Sequence, residues 1–194
     1  MSKIQRDDLM GLEQYSEQRN NFRARVMLHK KNRIVSLGPN MSLHFEDNLI
    51  MQYQIQEMLR AEKIFDAAGI QEELDTYNAL IPDGSNWKAT LMIEYSDPEE
   101  RSQALKQLLG IENLIWMQVS GFDKVYPIAD EDLERSTEDK TSSVHFLRFE
   151  LNDDMIEAAK NNASISLGAE HPAYKHIVNP LLDNYRESLV KDLS

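Results

Sequence analysis

The gaps between neighbouring strand-like segments constrain this chain most. RIVSL and MSLHF, within Arg33 to Glu46, alternate apolar and polar residues on either side of Gly38-Pro39-Asn40, which has turn chemistry. Leu114–Val119 and Lys124–Ile128 are parted only by a short piece containing Gly121. A parallel pair needs a crossover of a dozen or more residues, so these strands pair antiparallel. Asn86–Tyr95, Ser142–Leu151 and Ala163–Leu167 continue the pattern. The class predicted is α+β: a largely antiparallel sheet of about six strands, covered by helices.

Strand alternation assigns faces. Met41, Leu43 and Phe45 point one way, Ser42, His44 and Glu46 the other. Ala89, Leu91, Ile93 and Tyr95 oppose Thr90, Met92 and Glu94. His145, Leu147, Phe149 and Leu151 oppose Val144, Phe146, Arg148 and Glu150. Residues 129–141, ADEDLERSTEDKT, are too charged for a core and read as an exposed loop.

The longest helical pattern runs from Phe45 to Gly69, with Asp47 or Asn48 as N-cap and Gly69 as the stop. Met51, Ile55, Met58, Leu59, Phe65 and Ala68 recur at helical spacing. Glu62 falls inside that stripe. A carboxylate there needs a partner, and Arg148 is the preferred one. Ile70–Asn78 reads as a further helical piece, and Asp97-Pro98-Glu99-Glu100 opens a helix to about Leu109, ended by Gly110. Asn152 caps a short helix, HPAYKH reads as a loop or turn, and Pro180–Leu193 closes the chain as a helix. Residues 1–17 and Asn20–Lys31 read as two helices, so a helical segment over 1–32 packs on a single domain spanning 1–194.

With no cysteine, the chain holds no disulfide, cysteine-ligated metal or cysteine nucleophile. No apolar run is long enough for a membrane helix, and MSKIQRDD lacks a signal-peptide core, so the expectation is a cytoplasmic protein. A net charge of −12 opposes nucleic-acid binding. The charge is uneven: Gln18 to Phe45 contains no acid but holds Arg19, Arg23, Arg25, Lys30, Lys31 and Arg33. This segment either docks an anionic partner or lies against the protein's own acidic body.

The motifs of common hydrolases, nucleotide binders, zincins and EF-hands are absent, as is Glu-x-x-His. What remains is a constellation on the polar strand faces: His44, Glu46, Glu94, Gln118, Arg148 and Glu150. Brought together, His44, Glu46, Glu94, Arg148 and Glu150 suit a metal, an acid–base pair or an anion; left apart, they are an ordinary solvated face. No cofactor follows from them. His171 and His176 form a second, weaker metal-type pair; Trp87 follows a turn and lines either a pocket or the core, and Trp116 packs in the core.

Taken together, FED…QYQIQEMLRAE, LIPDGSNWKATLMIEY, SSVHFLRFEL and HPAYKH resemble an uncharacterised bacterial domain-of-unknown-function family over nearly the whole chain. The resemblance implies a single-domain cytoplasmic protein encoded beside rubrerythrin-like and iron–sulfur oxidoreductase proteins. It therefore implies a redox or oxidative-stress setting, with a redox or iron–sulfur protein as partner, and assigns no residue a role. Two functions follow. One is a non-enzymatic accessory or binding protein docking through Arg19–Arg33. The other is a metal- or anion-binding enzyme or sensor using the polar sheet face.

Overall fold

The computed structural model describes residues 3–194. The first two residues of the helix expected over 1–17 lie outside them. A 3-10 turn at Arg6–Asp8 precedes one continuous helix, α1 (Leu12–Lys30), where two were expected. Gly11 marks its start, and Gln18 and Arg19 are good helix formers that give no reason for a break. The hairpin β1 (Ile34–Ser36) and β2 (Met41–Phe45) follows.

Asp47 caps α2 (Asn48–Glu62), its side chain accepting from the Ile50 amide. The helix stops at Lys63, which adopts the left-handed conformation at φ 56°, and not at Gly69. Asp66 then caps α3 (Ala67–Asn78). Gly69 lies in the first turn of α3, where a side chain would strike Ile64 at 2.7 Å. The turn throws Phe65 outward and leaves Glu62 exposed. Glu62 is therefore not buried and does not meet Arg148. The buried polar residue of α2 is Gln56, fully enclosed, which exchanges hydrogen bonds with the backbone of Met10 (2.6 and 3.3 Å).

The remaining elements are β3 (Asn86–Ile93), α4 (Pro98–Gln107), a 3-10 turn at Ile111–Leu114, β4 (Ile115–Val119) and β5 (Ile128–Ala129). β6 (Val144–Glu150), α5 (Asp153–Lys160), β7 (Ile165–His171), β8 (Tyr174–Val178) and α6 (Asp183–Val190) complete the chain. Asp97 accepts from the amides of Glu99 and Glu100, Asn152 accepts from Met155, and Gly110 turns the chain at φ 81°. HPAYKH is no free loop: it ends β7, turns, and starts β8.

The fold is α+β with antiparallel pairing, as expected, but the strands divide between two sheets. One has the order β1-β2-β3-β6-β5, the other β4-β7-β8. Only part of Lys124–Ile128 is strand. Val125 bridges to Met117 of the smaller sheet, and Ile128 pairs with Arg148 of the larger. Inner residues of both sheets, such as Leu43, Leu91, Phe149, Met117 and Leu167, share one core with α4, α5 and α6. Helices α2 and α3 build a second core around Ile55, Leu59 and Leu74, and α1 meets α2 through Tyr15, Phe22, Val26 and Tyr53. The helices thus have their own apolar interior, which leaves part of the outer face of the larger sheet uncovered.

Candidate functional site

That outer face carries the site. In the β3–β6 register Lys88 lies opposite Arg148 and Thr90 opposite Phe146, and on β2 His44 lies opposite Thr90. The last turn of α3 and the residues after it approach from one side, and segment 130–135 from another. Between them lies a crevice of about 750 Å³. Tyr77, Leu80 and Phe146 supply apolar walls; Glu46, Lys88, Glu131, Arg135 and Arg148 supply polar ones.

The charges of the crevice are mostly paired. Arg148 Nε and Nη2 donate to the two carboxylate oxygens of Glu131 (2.7 and 2.6 Å), and Nη1 donates to Glu150. These bonds pull Glu131 below the usual carboxylate range and push Arg148 up. Arg135 grips Asp132 in the same two-pronged way (2.5 and 2.6 Å) and lies over the Phe146 ring at 4.5 Å. Lys88 is different. Its ammonium donates to the Ala79 carbonyl (2.7 Å), and among the described residues no carboxylate lies within ion-pair distance. Burial lowers its pKa, with the Arg148 charge acting in the same direction and Asp83, Glu131 and Glu150 acting against it. Glu46 is buried; desolvation raises its carboxyl, although Thr90 Oγ1 donates to it at 2.7 Å.

The predicted constellation is therefore split. Glu46 and Arg148 line the crevice, and Glu150 touches it through Arg148. His44 bonds Ser42 Oγ (2.9 Å), which donates to the exposed Glu94 (3.2 Å); this pair sits outside the crevice lining. Burial holds His44 below its ordinary pKa. Gln118 belongs to the other sheet and donates to the Phe122 carbonyl. Among the described residues no group of three His, Cys, Asp or Glu side chains could hold a metal ion, so the metal reading of this face has no ligand set. His171 is buried with Nε2 bonded to the Leu109 carbonyl and Nδ1 accepting from the Ala173 amide, while the His176 ring lies tilted against Tyr174. Trp87 is fully buried and donates to the Leu189 carbonyl; Trp116 is buried beneath Lys124.

The basic segment is divided too. Arg33 is buried, not a docking residue: it donates to the carbonyls of Phe45, Glu46 and Ser188 and to Asp192 at 2.5 Å. Arg19 is held by Glu57, whose carboxyl it brings down to about 2. Arg23, Arg25 and Lys31 remain exposed, and Lys30 half-buried.

The family described as "Protein of unknown function (DUF3501)" matches residues 3–193. The chain belongs to this family. A solved crystal structure from Burkholderia pseudomallei K96243, described as a novel protein of unknown function, is similar at 49% identity and a TM-score of 0.94 over 100% of both chains. No curated protein matches. The DUF3501 fold is thus shared along the whole chain.

In this DUF3501 chain, sequence reasoning missed Lys88, Glu131, Arg135 and Tyr77. Lys88 had a signal, since it shares strand parity with Thr90 and Glu94. Glu131 and Arg135 lie in a segment whose charges look solvent-directed until Arg148 and Phe146 are placed beside them.

Proposed function

We propose that this chain is a binding protein for a small organic molecule seated in the crevice between α3, the outer face of β3–β6 and segment 130–135. One observation carries the reading: a cavity of about 750 Å³ that joins apolar Tyr77, Leu80 and Phe146 to Lys88, an ammonium with one carbonyl partner and donors to spare. Cavities of this size, largely apolar with a few convergent polar groups, are where small ligands bind. Screening a fragment set by amide chemical shift tests it. The expected result is a group of fragments that shifts Tyr77, Lys88 and Phe146 and is blocked by Thr76→Trp, which fills the crevice mouth. Hits that spread over the surface, or that survive the block, overturn the proposal.

The setting implied by the family resemblance is a second part of the proposal. The chain serves a cytoplasmic redox or oxidative-stress system as an accessory protein, with an iron–sulfur protein as partner and no role for nucleic acid or membrane. Its support is the C-terminal part of α1, where Arg25 and Lys31 lie one turn before and after the exposed Leu28 and Arg23 is exposed as well. Among the described residues no helix is long and apolar enough to cross a membrane. Affinity capture from the native host should recover such a partner and lose it on Arg23→Glu, Arg25→Glu and Lys31→Glu together. Recovery of no redox protein overturns this setting and leaves the crevice reading standing.

A further inference from the structure

We infer that the ligand of the crevice is an organic carboxylate, and that Glu131 holds its place on Arg148; the inference rests on the crevice being a ligand site. The two carboxylates on Arg148 are not equivalent. Glu150 is built in: it stands on β6 and accepts a second hydrogen bond from Asn86 Nδ2 at 2.8 Å, and Asn86 is itself fully buried. Among the described residues Glu131 is fastened by the guanidinium alone, with bonds of 2.7 and 2.6 Å, and its side chain is 49% exposed. Water can replace the guanidinium around a carboxylate exposed to that degree, and an incoming carboxylate can make the same two bonds on Arg148, so the exchange is close to neutral.

The backbone needs no rearrangement for the exchange. Asp130, the preceding residue, is pinned on both oxygens, one accepting from the Phe146 amide at 2.9 Å and the other bonded to His145 Nδ1 at 2.6 Å. Glu131 can therefore leave by rotating its own side chain. Its departure leaves Lys88 and Arg148 opposite each other on paired strands, with Glu150, among the described residues, as the one carboxylate still bonded to either. An incoming carboxylate restores the two-pronged geometry on Arg148 and can meet the Lys88 ammonium in direct contact, closer than Asp83 stands. Tyr77 and Leu80 line the same crevice for an apolar body attached to that head group, beside Phe146, whose ring Arg135 covers on one face.

The test uses phenylacetate and its neutral counterpart phenylacetamide, titrated by amide chemical shift into the wild-type chain, Glu131→Gln and Arg148→Gln. The readout is the ratio of the two affinities, which cancels changes common to both probes. Removing the competing charge should raise the preference for phenylacetate roughly ten-fold, and removing the guanidinium should bring it close to one, the scale of a single charge-assisted hydrogen-bonded pair. If Arg148→Gln does not fold, Arg148→Lys, which keeps the charge without the fork, should give a ratio below wild type. A Glu131→Gln ratio that stays level or falls overturns the carboxylate assignment while leaving the crevice as a site. Binding of neither probe to wild type or to Glu131→Gln, with fragments of other chemistry still seated there, overturns it in the same way. A crevice that takes no fragment at all removes both readings.

Discussion

Replacing Arg33 by Ala should cost this protein a large share of its stability. Arg33 is 1% exposed and Asp192 2% exposed, and the guanidinium reaches that carboxylate at 2.5 Å. Removing one member of a buried pair strands the other and costs about 3–5 kcal/mol. Three backbone carbonyls also lose a charged donor. Against a total of about 5–15 kcal/mol for a typical domain, a third or more of the stability is at stake. The loss has a pH signature. A stranded Asp192 can escape by taking up a proton, so Arg33→Ala should be milder at pH 5 than at pH 8. Urea unfolding followed by circular dichroism at both pH values measures this, with Arg33→Ala/Asp192→Asn closing a double-mutant cycle. A loss below about 1 kcal/mol at pH 8, the level of an exposed ion pair, would refute the reasoning and return Arg33 to the surface.

Burial pushes the Asp192 carboxyl up to about 6, outweighing the nearby guanidinium. Its folded pKa then exceeds the unfolded one, so its contribution to stability is complete below about pH 4 and is lost as pH rises through about 6. Asp192→Asn should flatten the unfolding midpoint across that window, and an unchanged slope counts against the assignment. Asp97→Ala should lower stability by about 1 kcal/mol through loss of the α4 cap, read as a shifted midpoint; no shift contradicts the cap. Gln56→Ala should cost about 1–3 kcal/mol because the Met10 backbone loses both partners, whereas Glu62→Ala should stay within about 0.5 kcal/mol. Equal losses for the two would mean that burial on α2 is misassigned.

The local rules were legible wherever one residue type settles the geometry. Asp97 and Asn152 are caps in the sequence and in the structure, and the alternation of Met41, Leu43 and Phe45 places them inward in both. Asp47 was one of two candidates for the α2 cap, and the structure chooses it. The end of α2 was not legible, because Lys63 takes a conformation usually left to glycine, and the helical period of the stripe gives no warning of it. Division into two sheets was hidden as well: Met117 and Leu43 show the same alternation, and only register tells which sheet each joins. The crevice needed tertiary proximity. Arg148 was visible as a polar-face residue, but its pairing with Glu131 joins a strand to an irregular segment 17 positions away in the chain.

The link from Arg33 to Asp192 also sets a clock. It spans 159 residues. At about 5–20 residues per second, a ribosome takes roughly 8–30 s to cover that distance. Throughout that interval the first hairpin carries a cation that has Asp47 at 3.4 Å but not yet its closer buried partner, Asp192. Sealing that charge away early would leave its Nη1 and Nη2 donors without Ser188 and Asp192, so the hairpin has reason to stay hydrated until α6 arrives. The final enclosure of the larger sheet's core is thereby deferred until Asp192 has been made. Measured on stalled nascent chains, protection of the Val35 and Leu43 amides should appear abruptly once Asp192 has cleared the exit tunnel.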